Sequence, residues 1–188
     1  MMVNQIDPGR RERIIDAALE CIAERGVAGT SHRVVAKRCG VPLGSMTYHF
    51  TGIDELLLEA FGRFTRRIRD MVSDRFSHVK GPDEAIEAVV ELIYEDFETD
   101  RNVYLLSYEL YALAVHRADF RTLVHEMIEA GYNALRLHFD EESARAINTY
   151  IEGASTHHAL DTMPQTSDQA RRALRRLACL DRLPAPAS

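Results

Sequence analysis

The 188-residue chain has no tryptophan and only three cysteines, Cys21, Cys39 and Cys179. An odd, widely spaced set is not a disulfide framework. With no C-x-x-C pair and no Cys/His cluster it offers no zinc site, and the three read as buried reduced thiols. Glycine and proline total only 16 residues, which excludes collagen and low-complexity chains, and a hydrophobic content of 46% excludes a wholly disordered one. No apolar run approaches the roughly 18 residues of a membrane span. The polar stretch Met1 to Arg11 lacks the apolar core of a signal peptide. These absences imply a soluble, cytoplasmic protein. Of eight histidines, the suggestive pairs are His157-His158 and His125-Glu126, and neither has H-E-x-x-H spacing. Adjacent histidines point to different helix faces and make poor joint ligands. We therefore expect no metal, no cofactor and no catalytic residues, with an all-α enzyme as a weaker alternative. Positive charge is scarce too: the net charge is −6, which argues against a surface coated for nucleic acid.

What is present is helical periodicity, with no strand-like alternation and no internal repeat. Ile14, Ile15, Ala18, Leu19 and Ile22 form one apolar face of a helix stopping near Gly26. Thr30 is placed to cap a short second helix with Val34, Val35 and Ala36, ended by Cys39-Gly40. Pro42 fits the first turn of a third, Leu43 to Tyr48. After Gly52 a long amphipathic stretch carries Leu56, Leu57, Ala60, Phe61, Phe64, Ile68, Met71 and Val72. Gly81-Pro82-Asp83 begins a fifth helix with Ile86, Val89, Val90, Ile93 and Phe97. Asn102 begins a sixth, with a face of Leu105, Leu106, Leu110 and Leu113, and Asp119 a seventh. Ser143–Leu160 and Ser167 to about Leu180 are the last two, separated by Met163-Pro164. The spacing predicts an all-α fold of about nine helices. Residues 1–52 are expected to form one domain, 53–182 a second, and the Pro/Ala-rich 183–188 a disordered tail.

The acidity is unevenly distributed. Residues 1–50 carry seven basic and five acidic residues, +2, whereas 51–188 carry sixteen and twenty-four, −8. Residues 25–53 hold Arg25, Arg33, Lys37 and Arg38 and no acid. This cationic window is also helix, tight turn, short helix, the geometry by which a helix enters the major groove. Gly44, Ser45 and Thr47 are small enough for close approach to DNA, and Tyr48 and His49 are suited to phosphate contact. Arg33 is the candidate for a bidentate contact to guanine or phosphate; its alternative is a solvated surface arginine. Val34, Val35, Val41, Met46 and Phe50 are expected to pack the small core beneath.

Thr30 to Phe50, T-S-H-R-V-V-A-K-R-C-G-V-P-L-G-S-M-T-Y-H-F, resembles the DNA-binding motif of TetR-family transcriptional regulators. Arg10 to Gly26 resembles the first helix of that domain and Asp54 to Phe61 the start of its fourth. The match runs without gaps over some 50 residues. It implies that Ser31, His32 and Arg33 begin a DNA-facing second helix. It also implies that Pro42, Leu43, Gly44, Ser45, Thr47, Tyr48 and His49 lie on or beside the recognition helix. Two positions depart from the family pattern: Thr47 replaces the first of two usual tyrosines, and Ile53 replaces a common lysine. Ile53 cannot bind phosphate and is the one feature favouring an alternative, a helical small-molecule binder or adaptor without DNA binding.

The resemblance further implies a repressor, a homodimer on a palindromic double-stranded DNA operator. The last two helices would pair with the partner's, Gly153, Ala154 and Ser155 permitting close approach. The helices between would enclose a small-molecule effector, with candidates Phe64, Met71, Tyr94, Phe97, Tyr104, Tyr108, Tyr111, His125, Met127 and His157, each of which could equally be ordinary core. Tyr104, Tyr108 and Tyr111 share one helix face. An aromatic, partly polar wall suits an apolar or cationic molecule. The Arg171-Arg172 and Arg175-Arg176 pairs read as a solvated face or as cross-dimer ion pairs.

Overall fold

The computed structural model describes residues 9–96 and 101–180. Among them the backbone forms nine α-helices and no strand. They are α1 (Arg10–Arg25), α2 (His32–Cys39), α3 (Leu43–His49), α4 (Ile53–Phe76), α5 (Pro82–Glu91), α6 (Asn102–His116), α7 (Ala118–Leu135), α8 (Glu141–Leu160) and α9 (Ser167–Leu177). Helix α5 runs on into a single π-helical turn, Leu92–Asp96. Phe97 and the 183–188 tail lie outside the described residues. No described helix is long and apolar enough to cross a membrane.

The ends follow local chemistry, with some corrections. Gly26 closes α1 at φ 70° and Gly40 closes α2 at φ 67°, a region that costs any side-chain-bearing residue. Ser31, not Thr30, caps α2: its Oγ accepts the Val34 N–H at 3.4 Å. The Thr30 hydroxyl is buried and donates to the Gly26 carbonyl at 2.9 Å. Pro42 caps α3 rather than entering it. Asp140 caps α8, two residues earlier than expected. Thr166 caps α9 with a reciprocal box to Gln169. On α6 the buried stripe is Leu106, Leu110 and Ala114, and Leu105 is exposed because it lies one step off that four-residue repeat. Leu137 is also exposed, lying beyond the end of α7.

Residues 9–66 and 105–124 form one compact unit; 67–96 with 101–104 and 125–180 form another. The first buries Ile14, Ile15, Ala18 and Ile22 of α1 with Val35, Met46, Phe50, Leu56, Phe61, Leu110 and Phe120. Phe61 and Phe120 meet edge to face at 5.9 Å. Arg63 pairs with Glu12 and Asp16, Arg11 with Glu59, and Arg117 joins Asp54 to Asp119.

The second unit buries Ile86, Val89 and Ile93 with Leu135, Ala144, Ile147, Ile151, Ala170 and Leu174. Arg171 reaches Glu87 through two bonds of 2.7 and 2.9 Å, and Arg175 pairs with Asp83. These arginines therefore tie α9 to α5 within the chain. Arg172 and Arg176, each about 100° further round the helix, are exposed. Of the three thiols only Cys21 is buried, and burial pushes its pKa up; Cys39 is half-buried. Cys179 is exposed, since it follows the end of α9 at a positive φ of 54°.

Candidate nucleic-acid interface

Helices α1 to α3 present a finished core inward and an unusual set of side chains outward. Val35, Met46 and Phe50 are buried; Val34 and Val41 are half-buried. A fully buried side chain of this kind contributes about 1.5–3 kcal/mol, and none of these three is left for an outside partner to cover. Outward lie Ser31, Arg33, Lys37, Pro42, Leu43, Gly44, Thr47 and Tyr48, all exposed, with Ser45, His32 and His49 half-buried. Tyr48 is 80% exposed, an unusual position for so large a ring on a folded surface. Its ring meets His49 edge to face at 4.9 Å.

Three details sharpen this surface. A Cβ on Gly44 would meet nothing within 4 Å, so the chain's own packing does not demand glycine there. The Thr47 hydroxyl donates to the Gly44 carbonyl at 3.1 Å and sits in the first turns of α3. The buried Nε2 of His32 has no hydrogen-bond partner among the described residues.

The cationic window is narrower in space than in sequence. Arg38 reaches back to α1 and pairs with Glu20 at 3.1 Å and with Glu24; both hold its guanidinium charged, Glu24 most strongly. Its positive charge is thus spent within the protein. Arg25, Arg33 and Lys37 have no acidic partner among the described residues and remain the outward cations, the last two on α2. Ile53 is half-buried at the start of α4. That start is fixed by Glu55, whose carboxylate accepts the Thr51 N–H at 2.6 Å and is thereby held below its ordinary pKa.

The turn between α1 and α2 is anchored from α6. The Glu109 carboxylate accepts the Val27 N–H at 2.8 Å and lies where a Cβ on Gly26 would sit, 2.7 Å from its Oε1. Sequence reasoning missed Glu109 because the contact joins positions 82 residues apart.

The residues expected around an effector are placed unevenly. Phe64, Tyr104 and Met127 are buried; Met71, Tyr94, Tyr108 and Tyr111 are half-buried; His125 and His157 are exposed. Phe97 is not described. Tyr104 donates to the Ile93 carbonyl at 3.4 Å, bracing the π turn. Burial pushes the Tyr94 phenol up. His157 faces outward, 3.7 Å from Asp161, and lines a surface cavity of about 290 Å³ with Tyr150, Gly153 and Met163. A second cavity, about 450 Å³, lies between Arg69, Phe76, Asn133 and Leu137 and contains none of the expected residues. Of the three small residues expected at a helix interface, Gly153 is exposed and Ala154 half-buried, but Ser155 is turned into its own unit's interior. No group of three or more potential metal ligands occurs among the described residues.

Comparison with known proteins agrees with this geometry. Residues 14–60 match the family model described as bacterial regulatory proteins, tetR family, and residues 80–179 match a tetracyclin repressor-like C-terminal domain. The chain is 27% identical over 186 residues to the HTH-type transcriptional regulator PksA of Bacillus subtilis, covering 92% of this chain and 90% of that one. It is 44% identical to a Streptomyces coelicolor transcriptional regulator of known structure, with a TM-score of 0.84 over 91% of this chain and 99% of the other. It is also 34% identical to the multidrug binding protein EbrR solved with ethidium, with a TM-score of 0.72, covering 91% of this chain and 99% of that one. EbrR has also been solved with proflavin.

Proposed function

Because the chain belongs to the TetR family of bacterial transcriptional regulators, we propose that α3 enters the major groove of a palindromic operator and that Arg33, from α2, supplies the principal charged contact. The observation carrying this reading is the outward set itself: two cations on α2 without acidic partners, an unforced glycine and an 80% exposed tyrosine on α3. Gly44 and Thr47 let the backbone of α3 approach base edges. Ser31, His32, Tyr48 and His49 donate to phosphates, with Pro42, Leu43 and Ser45 bordering the contact. Ile53 offers no phosphate contact, so Lys37 carries a larger share of the salt-dependent binding.

One short helix reads too few base pairs alone, and a two-fold dimer doubles the site. We assign pairing to α8 and α9, where Gly153 has open space above it and Leu160 and Met163 are 69% and 86% exposed. A small aromatic effector, bound among Met71, Tyr94, Tyr104 and Met127, favours a different spacing of the two recognition helices. DNA affinity falls by a coupling of about 1–3 kcal/mol, and the operator is released in the cytoplasm. The ligands of EbrR support an aromatic class, and the Glu109 anchor on the α1–α2 turn gives α6 a direct hold on the DNA-reading helices.

The test is an electrophoretic shift with palindromes from the DNA flanking the gene. Arg33→Ala should weaken specific binding by about 1–3 kcal/mol. Lys37→Ala should weaken binding to all sequences and lower the salt slope by about one. Wild-type protein that binds no duplex at low salt would transfer the chain to the alternative, a small-molecule binder without DNA.

A further inference from the structure

On the inward face of α8, Ser155 and His158 stand three residues apart, on the same stripe as the buried Ile147 and Ile151. Ser155 is only 8% exposed, yet its hydroxyl has no hydrogen-bond partner among the described residues. The buried Nδ1 of His158 has none either. Facing them is the π turn Leu92–Asp96, from which the Tyr94 ring meets the His158 ring edge to face at 4.8 Å. Single π turns inside α-helices concentrate at functional sites, because the extra residue redirects a side chain; here it directs Tyr94 towards His158. Two adjacent polar atoms left unpaired on a buried face carry the desolvation penalty of their groups. Native interiors tolerate such atoms where a ligand completes them. Both atoms can accept a hydrogen bond, so the matching ligand group is an N–H or O–H donor.

We propose that Ser155 Oγ and His158 Nδ1, walled by Tyr94, are the polar end of the effector site and receive an N–H or O–H donor carried by a planar aromatic molecule. With its proton on Nε2, His158 accepts through Nδ1, and the serine hydroxyl accepts beside it. This rests on the effector reading above and adds residues and a ligand chemistry to it. It also separates two neighbours in sequence: His158 turns inward and His157 outward.

Proflavin, an acridine with two amino groups, is the probe, with acridine orange, the same ring with both amino groups dimethylated, as its comparison. Binding of each to the full-length protein is followed by fluorescence titration for wild type, Ser155→Ala and His158→Phe. Both variants should lose at least fivefold in proflavin affinity and lose the wild type's preference for proflavin over acridine orange. Ser155→Ala removes an unpaired buried hydroxyl, so the unliganded variant should melt at the wild-type temperature or above it, a result that a merely structural serine would not give. Variants that bind proflavin as wild type does overturn the proposal and leave the effector reading standing. Wild-type protein that binds neither dye overturns both.

Discussion

Gly26 and Gly40 both end helices at positive φ, but they are not equivalent. Gly40 lies at φ 67°, ψ 30°, with nothing within 4 Å of a hypothetical Cβ. A left-handed conformation there costs another residue about 1–2 kcal/mol. Gly26 lies at φ 70°, ψ 172°, a region essentially confined to glycine. A Cβ would also displace Glu109 from the Val27 N–H. Gly26→Ala should therefore destabilise the protein by at least about 1 kcal/mol more than Gly40→Ala, measured by urea unfolding. Equal losses would mean that Glu109 does not hold the turn. The same reasoning explains why Arg33 and Arg38, five residues apart on one short segment, have different fates. Arg38 finds two glutamates on α1, and Arg33 finds none.

At the scale of elements, helix ends are determined by their caps more than by their apolar stripes. Stripes locate the longer helices, because a three- and four-residue repeat of apolar side chains is visible without tertiary information, while α3 and α9 are read from Pro42 and Ser167 at their starts. One boundary shifted where two candidate caps lay side by side: Ser31 prevailed over Thr30 because Thr30 was recruited by the Gly26 carbonyl. The capping box of α9 is self-contained. Thr166→Ala should cost about 1 kcal/mol, readable as a lower denaturation midpoint. The loss should be similar at low and high salt, since a neutral hydroxyl makes the bond. A strongly salt-dependent loss would instead point to the Arg171 and Arg175 ion pairs as the feature holding α9 in place.

At the scale of the whole molecule, the excess of acid has a consequence for stability. Glu55, Asp119, Glu141 and Asp161 are all held below their ordinary pKa. The causes are the Thr51 N–H, the Arg117 guanidinium, the Arg145 guanidinium and the Met163 N–H respectively. A carboxylate with a depressed folded-state pKa stabilises the fold above its ordinary value, and that contribution is lost as pH falls through the depressed one. Stability from these groups should be complete above about pH 5 and decline below the ordinary values of 3.8 for aspartate and 4.5 for glutamate. Thermal melts at pH 5 and pH 3 test this; a midpoint that does not fall between them would show that these bonds are not formed in solution. The charge imbalance has a functional side too. The acidic bulk lies outside the three-helix segment, so a pI near 5.8 coexists with a locally cationic face on α2.

The sequence by itself determined the all-α class, the helix-turn-helix, the family and the set of side chains that α2 and α3 turn outward. The class and the helix-turn-helix rest on spacing within a few residues, apolar repeats and a glycine between short helices, and the family on the resemblance of the motif over some 50 residues. Tertiary structure decided what distant residues do to one another. It spent Arg38 on α1, sent Arg171 and Arg175 to α5, and brought Glu109 to a turn 82 residues away. It also decided between His157 and His158. On a helix, neighbouring positions differ by about 100° in direction, so an error of one residue in choosing a face exchanges solvent for the interior. The π turn that brings Tyr94 to His158 has no signature in residue spacing, because it is stabilised by what packs against it.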